Sequence, residues 1–465
     1  MWVLTVQEVA AAMGGRVLGP LTVPTVSGIS TDTRKLSPRS LFFAIRGERF
    51  DGHAFVQDAL QHGAGVAVVK DPSCVEAQYR DRGRLIQVAD TVEALNRLAS
   101  WYRRQIAAVV IGVVGSNGKT TTKDMISTVL GAKKRGRAAQ GSFNNSIGVP
   151  ITMLAADPAD EFVVVEIGTN HPGEVAALGR LVQPDMAVVT SIGEEHLEFF
   201  GDIAGVATEE FSLLGVLHRQ AFVAISEQAA RHAPIGSTDE CTKLIYGLGQ
   251  EADLRATDLA LAPDGQRFKV NGRFEYRLPV LGTHNVINAL AAIAIGSRLR
   301  LTHEEMAAGL WQVRTPPMRL ERSSIAGVTI INDAYNANPS SMRAAFEVMN
   351  NLPDLGRRVL ILGDMRELGD QSLPAHQTVG REAGRSAAQA IIAVGAYARV
   401  IADGATVTAG TSKRIYSFPT VEAAAERIGS LIEEGDIVLL KASRAMRLER
   451  LVEPLRQGSR PAGVA

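Results

Sequence analysis

The stretch Ala108 to Leu130, AVVIGVVGSNGKTTTKDMISTVL, decides the fold. Val109 to Val114 is a short run of apolar, mostly β-branched residues, the composition of a strand covered on both faces in a parallel sheet. Gly115, Ser116, Asn117 and Gly118 break the run, and a helix is predicted from near Thr120. Where glycines carry no bulk, backbone amides can close around a phosphate, and the helix points its positive end at the same place. Lys119 adds a mobile cation and Thr120 a hydroxyl suited to Mg²⁺. The spacing departs from the common G-x-x-x-x-G-K-[ST], since position 113 is Val and the leading glycine falls at Gly112. The strand, turn and helix context is intact, so an ATP-phosphate site is expected. The plain alternative is a glycine turn beside a surface lysine.

With 465 residues the chain is too long for one ordinary core, and three domains are expected. Lys plus Arg and Asp plus Glu both number 49, so net charge is zero and no half is strongly basic. That balance gives no support to a nucleic-acid or membrane-surface role. The basic run Lys133, Lys134, Arg135 and Arg137 reads as a solvated face after a helix end at Gly131. Cys74 and Cys241 lie far apart with neither metal-ligand nor disulfide spacing, which fits a reducing compartment. No apolar run approaches membrane-spanning length and no basic, then apolar leader opens the chain, so a cytoplasmic protein without membrane insertion is expected.

Residues 1–103 alternate short apolar runs (Leu41 to Ile45, Val66 to Val69) with helical patterns (Gln7 to Met13, Phe55 to His62, Val92 to Tyr102), which reads as a small α/β domain. It contains Ser30-Thr31-Asp32-Thr33-Arg34 and Asp51-Gly52-His53. Taken alone these are turn residues around a buried strand, with a ligand role as the alternative.

Residues 104–313 form the expected nucleotide domain. After the loop come Phe143-Asn144-Asn145-Ser146, a strand Phe162 to Val165 ending at Glu166, and an apolar run Met186 to Ile192 ending at Gly193-Glu194-Glu195-His196. Ligands of open parallel sheets collect at the carboxyl ends of strands, so Glu166 and His196 project toward the phosphate loop. A carboxylate there suits Mg²⁺, which prefers oxygen ligands and phosphate company. The bland reading of His196 is a charge-paired surface imidazole. Asp264-Gly265 and Asn271-Gly272 punctuate an antiparallel hairpin region, and Gly282-Thr283-His284-Asn285 opens an alanine-rich helix over 286–299. Beyond a Pro316-Pro317 linker, residues 314–465 restart as a third α/β unit with strands at Val328 to Ile331, Val359 to Leu362, Ala390 to Val394 and Ile437 to Leu440.

Together these residues resemble the Mur ligase family, the ATP-dependent amide-bond-forming enzymes of peptidoglycan precursor synthesis. Gly115-Ser116-Asn117-Gly118-Lys119-Thr120-Thr121 resembles the family's phosphate loop. Gly282-Thr283-His284-Asn285 with Asn288-Ala289 resembles its helix-opening motif, and Pro317-Met318-Arg319-Leu320-Glu321 the segment whose arginine reaches the γ-phosphate. Asn332 to Met342, NDAYNANPSSM, is similar to the branch that adds D-alanyl-D-alanine, and the Asp-Asn-Pro-Arg motif of the branch adding the third residue is absent. Leu362-Gly363-Asp364-Met365, Glu367-Leu368-Gly369 and Lys441 to Glu449 agree.

The resemblance implies a small α/β N-terminal domain, a central P-loop ATPase-type domain with a mostly parallel sheet, and a C-terminal Rossmann-like domain. It implies an ATP- and Mg²⁺-dependent ligase, a monomer, joining D-alanyl-D-alanine to UDP-N-acetylmuramoyl-tripeptide through an acyl phosphate, in cell-wall precursor synthesis. Lys119, Glu166, His196 and Arg319 become the catalytic set. Thr120 and Glu166 hold one Mg²⁺ and His196 a second. Gly115 to Thr121, His284, Asn285, Asn288, Arg319, Asp333 and Asn336 face ATP, with Asp333 at the ribose. Ser30, Asp32, Arg34, Asn145, Asn336 and Asn338 face the other substrates, the first three the UDP end.

Two departures stand out. Val114 occupies a loop position where the family often has Thr. Aligning from His196-Leu197-Glu198 without gaps puts Glu210 where the family usually places a carbamylated lysine supporting the second metal, so that feature does not carry over. Glu210 is expected to supply the anionic oxygen itself, the bland reading being a solvated helix residue beside Glu209. Two other functions remain open at this level: a folylpolyglutamate synthase-like ligase, which shares the loop and helix-opening pattern, and a nucleotide-binding homologue without ligase activity, suggested by Glu210.

Overall fold

The structure is a computed structural model that describes residues 2–47, 50–80, 82–262, 264–352 and 356–458. Three large sheets carry it. The first has five strands in the order Arg16–Leu18, Leu85–Gln87, Val66–Val69, Leu41–Phe43 and Ile29–Ser30, all neighbours parallel except the first pair.

The central sheet has nine strands. Val109–Val114 lies between Phe162–Glu166 and Met186–Val189, both parallel to it. The chain leaves it for one side and then crosses to the other, which opens a crevice at its carboxyl end, the switch point where such sheets bind ligands. Register places Glu166 opposite Val113 and Val189 opposite Val114, so the polar residues that follow meet the phosphate loop. The far edge, Leu254–Ala262, Gly265–Val270 and Phe274–Leu278, is antiparallel, as the Asn-Gly and Asp-Gly turns predict.

The third sheet has six strands, with Glu321–Ile325 antiparallel at one edge and the rest parallel. Two of its strands, Glu321–Ile325 and Arg414–Phe418, lack a clear apolar run in sequence because both are edge strands with exposed positions. The run expected over Met186 to Ile192 is a strand only to Val189. Thr190 and Ser191 turn aside because their hydroxyls bond to the phosphate loop.

The packing is unequal. Apolar residues of the N-terminal unit, including Trp2, Leu95, Leu98 and Tyr102, form one continuous core with Val110, Val114, Met153 and Val175 of the central unit. Helix Lys119–Gly131 buries Met125, Ile126 and Val129 with Val286, Leu290 and Ile293 of helix Thr283–Arg298 on the opposite sheet face. The C-terminal sheet has its own two cores, and Leu197 and Leu281 of the central unit pack against one of them. Among the described residues no helix is long and apolar enough to cross a membrane.

Candidate active site

The loop between Val114 and Lys119 needs its glycines for conformation and for space. Gly115 and Gly118 have φ of 122° and 84°, a region that L side chains rarely adopt. A Cβ on Gly115 would come within 2.4 Å of Thr190 Oγ1, and one on Gly118 within 2.6 Å of Asn288 Oδ1. Helix Lys119–Gly131 starts with no side-chain cap, so its first amides are free to meet an anion.

The loop's earlier amides are already engaged. Gly115 N–H donates to Glu210 Oε2 at 2.8 Å, Ser116 N–H to the Ser191 carbonyl at 2.7 Å, and Asn117 N–H to Ser191 Oγ at 2.9 Å. Gly193 N–H donates to Ser116 Oγ at 2.8 Å. The protein therefore holds the front of the loop rigid and leaves the amides from Gly118 onward for phosphate.

Lys119 is folded back onto acceptors of the protein. Its Nζ donates to the Gly115 carbonyl and stands 3.6 Å from Glu195 Oε1 and 4.0 Å from Glu210 Oε1. Burial opposes its charge, but the carboxylates of Glu195, Glu210 and Glu166 outweigh that and raise its pKa. Glu195 is pushed up to about 8, first by burial and then by its neighbour Glu210, against the pull of Lys119. Burial likewise raises Glu210.

Glu209 and Glu210 are both buried, and they separate cleanly. Glu209 accepts from Gly173 N–H at 2.7 Å and Val175 N–H at 2.8 Å, closing the start of helix Glu174–Val182. Glu210 faces the phosphate loop instead. The solvated-helix reading of Glu210 therefore fails.

Glu166 is buried at its strand end; Oε1 accepts from Asn144 Nδ2 at 3.0 Å while Oε2 is buried with no partner. Thr120 Oγ1 lies 3.1 Å from Ser142 Oγ. An unpaired buried carboxylate oxygen beside a hydroxyl and a phosphate loop is an oxygen donor set that fits Mg²⁺. Among the described residues no three His, Cys, Asp or Glu are placed to hold a metal unaided.

The C-terminal unit supplies the opposite rim. Arg319 NH2 donates to Thr120 Oγ1 at 2.9 Å, and its guanidinium sits 4.1 Å from the Tyr335 ring centre. Met318 and Leu320, on either side, have φ of 57° and 58°; two non-glycine residues in that region mark a backbone constrained to aim the side chain between them. Asn117 Nδ2 donates to Ser340 Oγ at 2.9 Å, and Asn338 Nδ2 to Asn117 Oδ1 at 3.0 Å, while Asn338 also caps helix Pro339–Asn351. Arg343 pairs with Glu194 at 3.0 Å. Lys441 Nζ bonds Asp333 Oδ2 at 2.6 Å and the Asn336 carbonyl at 3.1 Å.

Between the rims lies a cleft of about 1160 Å³. It is lined by Ser116 to Thr121, Asn145, Glu166, His196, His284, Asn285, Asn288, Arg319, Asp333, Asn336 and Asn338. Burial holds His284 below its usual pKa, against the opposing pull of Asp333. Gly115 and Glu210 brace the cleft from behind, and neither is among its lining residues. Ser30, Asp32 and Arg34 also stand outside it. There Arg34 forks onto Asp32 with two bonds of 2.8 Å, and this pairing holds the Asp32 carboxyl at about 2.

Sequence reasoning gives no role to several residues that build the site: Ser142, Thr190 and Ser191, and Asn144 and Ser340, which it quotes only within longer stretches. Only their position after the strand ends and the loop could have flagged them, because hydroxyl and amide residues are common in turns of any kind.

Comparison with known proteins assigns all three units. The profile described as Mur ligase family, catalytic domain, matches residues 25–103, the Mur ligase middle domain 113–296, and the Mur ligase, glutamate ligase domain, 318–444. The UDP-N-acetylmuramoyl-tripeptide–D-alanyl-D-alanine ligase of Bacillus subtilis is 37% identical over 97% of this chain and 98% of its own length. The enzyme of that name from Escherichia coli is 34% identical over 93% and 94%. The crystal structure of MurF from Acinetobacter baumannii superposes with a TM-score of 0.87 at 31% identity, covering 98% of this chain and 99% of that one. A phosphate loop facing an arginine-bearing rim, three matching domains and relatives aligned over nearly their whole length lead to one statement: the chain belongs to the Mur ligase family.

Proposed function

We propose that this chain is the ATP-dependent ligase that joins D-alanyl-D-alanine to UDP-N-acetylmuramoyl-tripeptide in peptidoglycan precursor synthesis. The observation that carries this reading is the reach of Arg319 across the cleft to Thr120 of the phosphate loop, which makes one site of two rims. The relatives at 37% and 34% identity both bear that activity in their names.

A carboxylate is a poor electrophile because its leaving group would be oxide. In the first step the terminal carboxylate oxygen of the tripeptide attacks the γ-phosphorus of ATP, the bond to the bridging oxygen breaks, and ADP leaves. In the second, the amine of D-alanyl-D-alanine attacks the acyl carbon, loses a proton, and phosphate departs with the original carboxylate oxygen. Such chemistry asks for positioning and charge neutralisation.

Lys119 swings from the Gly115 carbonyl to the β- and γ-phosphates, and the amides from Gly118 to Thr121 complete the cradle. Arg319 neutralises charge on the transferring group from the far rim. His284, Asn285, Asn288 and Asp333 take the nucleotide side, while Asn336 and Asn338 take the dipeptide side, with Asn145 toward the peptide. Thr120 and Glu166 would hold one Mg²⁺ and His196 a second, and the bound ions would supply charge neutralisation. Glu210 supports this set through Gly115 and Lys119. Ser30, Asp32 and Arg34 receive the UDP end. Closing the cleft keeps water from the acyl phosphate. One chain supplies both rims, so the reading is of a monomer, working in the cytoplasm where nucleotide-linked precursors are made.

Labelling tests the two steps. Tripeptide carrying ¹⁸O in its terminal carboxylate is incubated with ATP and D-alanyl-D-alanine, and the inorganic phosphate is analysed. The reading predicts ¹⁸O in the phosphate in proportion to ligated product; unlabelled phosphate alongside product would overturn it.

A further inference from the structure

The Glu367-Leu368-Gly369 turn of the C-terminal unit has no part in the chemistry just described, yet it sits against His196 of the catalytic set. Glu367 Oε2 lies 2.5 Å from His196 Nδ1. That nitrogen is buried and has no aligned hydrogen bond of its own among the described residues, so the carboxylate beside it, off the N–H axis, is the acceptor within reach. The backbones are docked too: Glu198 N–H donates to the Glu367 carbonyl at 3.3 Å, and a Cβ on Gly369 would come within 3.2 Å of Glu198 Cα. Both partners are held in the left-handed region, His196 at φ 50° and Glu367 at φ 63°. Such conformations persist in non-glycine residues where the surroundings over-determine them, and they cluster at functional sites.

An imidazole that binds a metal through one nitrogen is commonly fixed by an acceptor on the other, which sets its tautomer, its orientation and its basicity. With Nδ1 at Glu367, Nε2 is the nitrogen left for a ligand; its recorded neighbour is Glu195 Oε2 at 3.9 Å. The unusual feature is the origin of the acceptor. Glu367 belongs to the other rim, beyond the Pro316-Pro317 linker, so it reaches His196 only while the C-terminal unit is docked.

We propose that Glu367 is a positioning residue that orients the His196 imidazole on domain closure, so that the second cation site is complete only in the closed enzyme. The inference rests on the reading of His196 as a ligand of that cation. Closure thereby brings Arg319 to the phosphate loop and readies His196 in one movement, and an open enzyme holding ATP is kept from premature phosphoryl transfer.

The test uses Mn²⁺ as a paramagnetic probe, titrated by electron paramagnetic resonance into the full-length protein with the β,γ-methylene analogue of ATP and UDP-N-acetylmuramoyl-tripeptide. His196→Ala should lose the weaker of two Mn²⁺ sites. Glu367→Ala should weaken that same site about tenfold, the lower end for loss of a group supporting a metal ligand, while leaving the tighter site and the KM for ATP in place and lowering kcat. Glu367→Gln, which keeps an oxygen acceptor, should recover most of the loss. If Glu367→Ala binds the weaker Mn²⁺ as the unaltered protein does while His196→Ala loses it, the positioning role is wrong and the ligand reading stands. If His196→Ala keeps both sites, the ligand reading falls and this inference with it.

Discussion

The two junctions in this molecule are built from opposite materials. Residues 2–103 meet the central unit through a continuous apolar core, with Trp2 donating its indole N–H to the Leu154 carbonyl at 2.6 Å and Tyr102 its hydroxyl to the Ala156 carbonyl at 2.8 Å. The C-terminal unit meets the central unit largely through polar contacts: Arg319 with Thr120, Asn338 and Ser340 with Asn117, Arg343 with Glu194, Glu347 with Thr283, and Glu367 with His196. Opening the first would expose buried apolar surface to water. Opening the second exchanges hydrogen bonds for water at small net cost. The difference teaches which junction is a fixed body and which is a gate, and the residues placed in the catalytic set border the gate.

The comparison breaks most visibly at the fixed junction. Trp2→Ala should destabilise the fold by about 3–5 kcal/mol, as for other buried aromatic deletions, with kcat per folded molecule unchanged. Chemical denaturation and turnover on the same sample check this, and a large fall in kcat at unchanged stability would reverse the assignment of the two junctions.

At the gate the pattern should invert. Arg319→Ala should lower kcat about 10²- to 10³-fold, as does removal of other preorganised electrostatic groups, with a melting temperature near that of the parent. Direct ATP titration decides its role: a large loss of ATP affinity at unchanged kcat would make Arg319 a ground-state binder. Lys119→Ala and Glu166→Ala should lose as much, and near-normal turnover in either would remove that residue from the site.

A finer test separates two adjacent carboxylates. Glu210→Ala should cost roughly 10²-fold in kcat, because it frees the Gly115 amide and removes one of the charges facing Lys119. Glu209→Ala should leave kcat nearly intact and cost about 1 kcal/mol of stability through the uncapped helix. Activity should also be indifferent to added bicarbonate, since a glutamate carries its charge without CO₂. Equal effects of the two variants would mean that the site does not distinguish them.

The smallest effect is expected from Arg343→Ala. Its pair with Glu194 is partly exposed and is worth at most about 1 kcal/mol. That suffices to shift the open and closed populations a few-fold, visible as a change in radius of gyration by small-angle scattering with ATP bound. No shift in that quantity would take Arg343 out of the closing contacts.

What the sequence discloses about this arrangement follows from distance along the chain. The strand, loop and helix over Ala108 to Leu130 are legible because local composition and glycine conformation determine them. The hairpins after Asp264-Gly265 and Asn271-Gly272 are legible for the same reason. Edge strands such as Glu321–Ile325 are not, since one exposed face and few apolar residues leave no periodic signal. Local pattern does not choose between Glu209 and Glu210 either, since neighbours on a helix point about 100° apart and which one meets the phosphate loop depends on how helix Ile203–Phe211 packs; only the ungapped alignment from His196-Leu197-Glu198 singles out Glu210. Contacts such as Arg319 with Thr120 join residues some two hundred positions apart, so the residues can be named from motifs but their meeting cannot.

The central claim, that the gate closes on a tripeptide carboxylate and a D-alanyl-D-alanine amine, is tested most directly by phosphate release with defined substrate pairs. With ATP and Mg²⁺, UDP-N-acetylmuramoyl-tripeptide plus D-alanyl-D-alanine should release phosphate together with product, and omission of either should silence it. Efficient release with lysine or diaminopimelate on the dipeptide precursor, or with folate and glutamate, and none with the tripeptide pair, would contradict the account.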